Sequence, residues 1–156
     1  MKKRLLALLI ASLMITSTSM AADVNITNTS SSLMTWSTAT PYASSYLDDY
    51  SIAFGARDNC RMVITMDVNG VRTMDRIGCL MLVIEEKING TWQECDTLMS
   101  ADHPDFMATN TVSYFHSIDY YGTAGVQYRV TMTAYARDDT GYDTGEVTSY
   151  VVTCRE

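Results

Sequence analysis

Histidine and lysine are scarce in this chain. Only His103 and His116 occur, and Lys87 is the one lysine after Lys3. No serine stands in Gly-x-Ser-x-Gly, and no glycine-rich phosphate loop is present. No two cysteines have the Cys-x2-Cys spacing of a zinc site or a redox dithiol. Nucleophile-elbow hydrolysis, phosphate cradling, structural zinc and catalytic thiol exchange therefore have nothing to rest on. Long apolar runs are also missing after Ile15. The longest is Cys79–Ile84, six residues, enough for a buried strand and far short of a membrane span.

What the chain does have is an ordered N-terminus. Lys2, Lys3 and Arg4 precede an apolar run from Leu5 to Ile15, and Ser19-Met20-Ala21 precede Ala22. This is the layout of a secretory signal peptide cut after Ala21. The expected organisation is a signal peptide over 1–21, a flexible Ser/Thr-rich leader over 22–45 and a β-domain over 46–156. From Asn25 to Ser45, 11 of 21 residues are Ser or Thr, which leaves little to bury beyond Leu33 and Trp36. No cysteine follows the cleavage site and no hydrophobic tail follows Cys154, so the product is expected to be released outside the cell. Loss of Lys2, Lys3 and Arg4 takes the 11 basic residues to 8 against 18 acidic ones, and the net charge from −7 to −10. Such a surface repels phosphate backbones and anionic headgroups, which argues against nucleic acid and against membrane insertion after cleavage.

From Tyr46 the apolar residues recur with a period of two. Tyr46–Phe54 forms one expected strand. Met62, Ile64, Met66 and Val68 follow Cys60 in clean alternation with polar neighbours, and Asn69-Gly70 signals a turn. Ile77–Glu86 is apolar on both faces, as a central strand is. Asn89-Gly90 then predicts a hairpin returning through Thr91–Met99. The connection from Ser100 to Met107 is polar and holds Pro104. Ala108–Ser117, Val126–Ala136 and Val147–Cys154 complete seven strands. Gly, Asn and Asp interrupt every helical candidate. The predicted fold is all-β, a seven-strand antiparallel sandwich of two sheets.

Gly125-Val126-Gln127-Tyr128-Arg129-Val130 resembles the start of the sixth strand in fibronectin type III and immunoglobulin-like domains. There a buried tyrosine marks the corner and its hydroxyl finds a nearby backbone partner. The immunoglobulin pattern itself is broken twice: Val130 stands where Cys60 would find its partner, and no tryptophan lies on the third strand. The wider chain, from Pro41 to Cys154, resembles small secreted sandwich proteins of clostridial-type, often gut-dwelling, bacteria. The residues that carry this are Gly55-Ala56-Arg57-Asp58-Asn59-Cys60, the strand running into Glu85-Glu86-Lys87, and Asn89-Gly90-Thr91-Trp92. That family is uncharacterised, so the resemblance implies a fold and no activity.

Cys60, Cys79, Cys95 and Cys154 are even in number, and an exported chain is expected to oxidise them. In a seven-strand sandwich Cys60 begins the second strand and Cys154 ends the last, at one pole. This favours Cys60–Cys154 with Cys79–Cys95. The second bond needs a bulge or longer loop, because a strict Asn89-Gly90 hairpin sets Cys79 opposite Ser100.

Other chemistry is thin. Asp102-His103-Pro104-Asp105 could offer metal ligands, though a polar turn explains it as well. His116 shares a strand face with Tyr114 and is expected at a rim. Asp138, Asp139, Asp143 and Glu146 flank the last hairpin without EF-hand spacing, so a solvated acidic turn competes with Ca2+ binding. Glu85 and Glu86 are neighbours on a strand and point to opposite faces. No metal and no cofactor is expected. Aromatics are the best hint of binding, with Tyr114, Tyr120, Tyr121 and Tyr142 as the candidate surface. The resulting expectation is a secreted, non-catalytic domain that binds an extracellular protein or glycan. The alternative is a structural envelope or matrix subunit that assembles through its edge strands.

Overall fold

The computed structural model describes residues 34–41 and 44–156. The expected signal peptide, 1–21, and residues 22–33 of the leader lie outside them. The described residues form ten strands: β1 Thr35–Ala39, β2 Leu47–Ala56, β3 Arg61–Met74, β4 Arg76–Ile88, β5 Thr91–Met99, β6 Met107–Ala108, β7 Thr111–Tyr121, β8 Gln127–Asp138, β9 Gly141–Thr148 and β10 Val152–Thr153. A 3₁₀ turn, Pro104–Phe106, is the one helical element among them.

All ladders are antiparallel, and they form two sheets. The first has the order β1-β2-β3-β7. The second centres on β8 and β4. β9 and β10 lie end to end along the outer edge of β8, and β5 and β6 do the same along β4. The alternation seen in the sequence decides which side faces in. Met62, Ile64, Met66 and Val68 of β3 are fully buried, as are Leu82 and Ile84 of β4 and Val130, Met132, Ala134 and Ala136 of β8. Tyr50, Ile52 and Phe54 of β2 join them. Burying each large apolar side chain contributes about 1.5–3 kcal/mol, and truncating one costs about 2–5 kcal/mol once the cavity is counted.

Turn chemistry sets the registers. Asn89 and Gly90 both have positive φ, 51° and 84°, the type I′ geometry that matches strand twist. Asn59 and Cys60 do the same at the β2–β3 turn, at 58° and 55°, with Arg61 N–H donating to Asp58 O at 3.4 Å. Asn69-Gly70 makes no reversal. It lies inside β3, next to a register shift between Asn69 and Met74. The corner before β8 is held by Tyr128. Its ring is buried, and its hydroxyl accepts from Thr123 N–H at 2.9 Å and donates to Glu86 Oε2 at 3.3 Å.

The expected seven strands are thus corrected to ten. β6 is a two-residue bridge within the polar connection. The last expected strand is split: β9 begins earlier, at Gly141, and β10 resumes at Val152. Gly141 and Gly145 leave room for the rings of Tyr46 and Tyr50 packed against β9, because a methyl at either would overlap them. β1 arises from the leader. A threonine-rich segment suits an edge strand, where backbone pairing needs little burial. Five register pairs, Thr35↔Phe54 to Ala39↔Tyr50, join it to β2.

Because β1 covers the β2 edge and Ala39 packs on the core, deleting residues 22–40 is expected to lower the thermal midpoint. Calorimetry should show a fall of about 5 °C or more, on the order of 1 kcal/mol for a domain of this size. An unchanged midpoint would mean that β1 adds nothing to the sandwich.

Candidate binding surface

The four candidate tyrosines do not share a surface. Tyr114 is only 5% exposed and points between the sheets, its hydroxyl donating to Asp105 O at 3.2 Å. Burial pushes that hydroxyl well above its ordinary pKa. Tyr120 is half-buried, edge-on to Tyr128 at 6.3 Å, with its hydroxyl 3.7 Å from Cys95 Sγ. Burial raises its pKa too. Both lie on the inward side of β7, where Tyr114, His116, Ile118 and Tyr120 alternate with exposed neighbours. Tyr121 stands outside the first sheet, 67% exposed and opposite Arg61. Tyr142 stands outside the second sheet, 63% exposed and 5.8 Å from the ring of Tyr135.

The two exposed tyrosines therefore lie on the outer faces of different sheets. On the first sheet Phe115 is 66% exposed and Trp36 43%. Phe115 sits opposite Asp67, whose pKa is raised by burial and by the charge of Asp49. On the second sheet Arg129 holds Glu85 through two hydrogen bonds, 2.6 and 2.8 Å, and lies 4.6 Å over the Trp92 ring. Lys87 covers the same ring at 5.5 Å. Glu86 turns the other way, toward Tyr128, so the two neighbouring glutamates do face apart. Farther along this face Arg76 and Arg137 are direct register partners. Neither arginine stood out in the sequence: Arg137 lies one residue past the strand expected over Val126–Ala136, and nothing local sets Arg76 opposite it.

The two histidines meet at one open side of the sandwich. The His103 ring stacks on Phe106 at 4.9 Å, and His116 lies 6.2 Å from the same ring. His116 Nε2 is 3.0 Å from Asp105 Oδ2. Phe106 is fully buried, so the polar connection plugs the side with one aromatic and is fastened to β7 through the His116–Asp105 contact. The acidic hairpin closes the other side. Asp138 takes the Arg72 guanidinium and the N–H and hydroxyl of Thr140, the last two at 2.8 and 2.6 Å. Asp143 accepts from Ser44 Oγ at 2.6 Å. These carboxylates serve separate partners, Glu146 faces outward, and no group of three metal-ligating residues occurs among the described residues.

All four cysteines are free thiols. Cys79 and Cys95 are too far apart to bond. Cys79 is buried beside Tyr114, and its thiol is pushed up to about 12 by burial. The expected bulge exists, at Cys95, but it shifts the register by one residue only: Glu85 pairs with Glu94 and Ile84 with Asp96. Cys95 therefore stays five residues along β4 from Cys79, about 16 Å, well past the reach of a disulfide. Cys60 and Cys154 lie at one pole, where Cys60 N–H donates to Arg155 O at 2.6 Å. Burial pushes the Cys154 thiol up to about 11, and the Cys60 side chain beside it adds to the rise.

No family model and no curated protein matches the sequence.

The Asp138 cluster has a pH signature. Hydrogen bonds from Thr140, then the Arg72 charge, hold its carboxyl down to about 2 from 3.8. A lowered native pKa contributes stability that is complete above 3.8 and is lost as pH falls through about 2. Asp138→Asn is expected to lower the midpoint at neutral pH and to flatten the acid limb of stability over that window. Thermal melts from pH 7 to 2 decide it: an acid limb as steep in the variant as in the parent would place the cause elsewhere.

Proposed function

We propose that the chain is an exported, non-catalytic domain of the fibronectin type III kind that binds an extracellular protein or glycan through the outer faces of its sheets. The N-terminal signal layout supports export. The strand order supports the fold type: β2-β3-β7 faces β9-β8-β4-β5, with a buried tyrosine at the corner before β8. β1, β6 and β10 are then additions to a seven-strand plan.

One observation carries the binding reading. Phe115, Tyr121 and Tyr142 stand exposed on flat sheet faces while the inward positions are filled by other apolar side chains. Large rigid aromatics give contact area at low entropic cost, and partners use them for that reason. The purified chain, probed against glycan arrays and extracellular protein extracts, should retain a partner. Phe115→Ser with Tyr121→Ser, or Tyr142→Ser on the other face, should weaken that binding with little change in thermal midpoint. Binding indifferent to all three would remove the aromatic faces as the site.

Assembly through edge strands is the second reading, and β7 favours it. This edge is 11 residues long, without lysine or proline, and exposes Val112. Light scattering distinguishes the two. Mass that grows with concentration, and is suppressed by Val112→Lys, selects assembly; a constant monomer mass selects binding.

Export would also oxidise Cys60 and Cys154. Cys60 occupies the turn position where glycine is preferred, at φ 55°, and its side chain lies against that of Cys154. Two S–H bonds would give one S–S bond, the electrons and protons passing to an exchanging disulfide that leaves as two thiols. The link would close most of the domain and stabilise it by roughly 4–5 kcal/mol in the loop-entropy model. Mass spectrometry of an unreduced digest should recover Cys60 joined to Cys154. Recovery of Cys60 joined to Cys95, or a melt insensitive to reductant, would reject the pairing.

A further inference from the structure

The pairing of β4 with β8 sets two arginines face to face in a strongly acidic protein. Arg61 is engaged by Asp119 at 2.9 Å, Arg72 by Asp138 and Arg129 by Glu85. Arg76 and Arg137 make no ion pair among the described residues, and of the arginines without one they alone are partners in a strand ladder. Both are exposed on the outer face of the second sheet, since Ile77 and Ala136 beside them point inward and are fully buried. Asp75 and Asp139 are exposed nearby in sequence, but neither lies within ion-pair distance of either guanidinium. Glu146 faces outward opposite Thr133, four residues from Arg137 along β8, or about 13 Å.

Directly opposed like charges destabilise a sheet. An anion between them would turn that cost into a paired site, because each guanidinium offers a fork of donors to a carboxylate. Tyr142 is the register partner of Arg137 on the other side of β8, and its ring lies 5.8 Å from Tyr135 at 30°. The charge thus adjoins a broad aromatic surface that suits the C–H face of a sugar. The net charge of −10 after signal removal selects the ligand further. It repels extended polyanions and leaves room for a single acidic group at this one spot.

We propose that Arg76, Arg137, Tyr135 and Tyr142 form a site for a sugar ring that carries one carboxylate, as a uronic or sialic acid does. This deepens the binding reading above and rests on it.

The test is an NMR titration of the ¹⁵N-labelled full chain with methyl β-glucuronide. Methyl β-glucoside, glucose 6-sulfate and glutamate serve as comparison probes. The glucuronide should shift the amides around residues 76, 135, 137 and 142 at millimolar concentration. The glucoside should bind at least about tenfold more weakly, and Arg137→Gln should weaken the glucuronide by a similar factor. The thermal midpoint of that variant should be unchanged or higher, because a like-charge contact is relieved, whereas loss of a purely structural arginine would lower it. Glutamate or the sulfate binding as well as the glucuronide would overturn the acidic-sugar assignment. Shifts absent from these four residues, or unaffected by Arg137→Gln, would overturn the site. A partner retained through Phe115 and Tyr121 alone would leave the binding reading standing while this site falls.

Discussion

The structure depends on one constraint: three long strands, β3, β4 and β8, must keep their apolar residues turned inward against each other. Met74 ends β3 facing inward in one sheet, and Ile77 faces inward in the other, with Asp75 alone between the two strands. So short a crossing leaves no freedom to slip. A shift of one residue would turn every buried methionine and isoleucine to solvent. β4 changes parity at a register shift between Cys79 and Met81, which keeps Ile77 and Cys79 inside along with Leu82 and Ile84, and puts both Glu85, opposite Arg129, and Arg76, opposite Arg137, on the outside. The candidate site follows from the core register and not from any loop.

A sandwich built this way has two open sides, and here each is closed by polar groups holding an aromatic. Phe106 plugs one, held by the Asp105–His116 pair. Tyr46 and Tyr50 cover the glycines of β9 at the other, next to Asp138, Arg72 and Asp143. Histidines and carboxylates that look like ligands in the sequence are used as fasteners. Among the described residues, the exposed aromatics on the outer faces, with Arg76 and Arg137, are left without such a fastening role.

Much of the fold was legible because its signals are local. Period-two alternation identified the inward residues of β3 and β8, continuous apolarity marked β4 as central, and Asn89-Gly90 set its hairpin. Tyr128 announced its corner through its neighbours. What stayed hidden depends on pairing between distant segments. β1 reads as a polar leader because its stability comes from the edge of β2. Tyr114 and Tyr121 look equivalent in sequence, yet odd and even positions of β7 separate core from solvent. Cys95 was read as a bonding partner because the distance from the bulge to Cys79 cannot be counted without the register. Arg76 and Arg137 lie sixty-one positions apart in the sequence, and nothing local joins them.

Amide hydrogen exchange of the full chain, read residue by residue, tests most directly the claim that β3, β4 and β8 hold the sandwich together. Their inner amides should exchange slowest and together, near the rate of global unfolding, with β5 and β9 faster and β1 and β10 fastest. Rapid exchange through β4, or protection greatest in the edge strands, would contradict it.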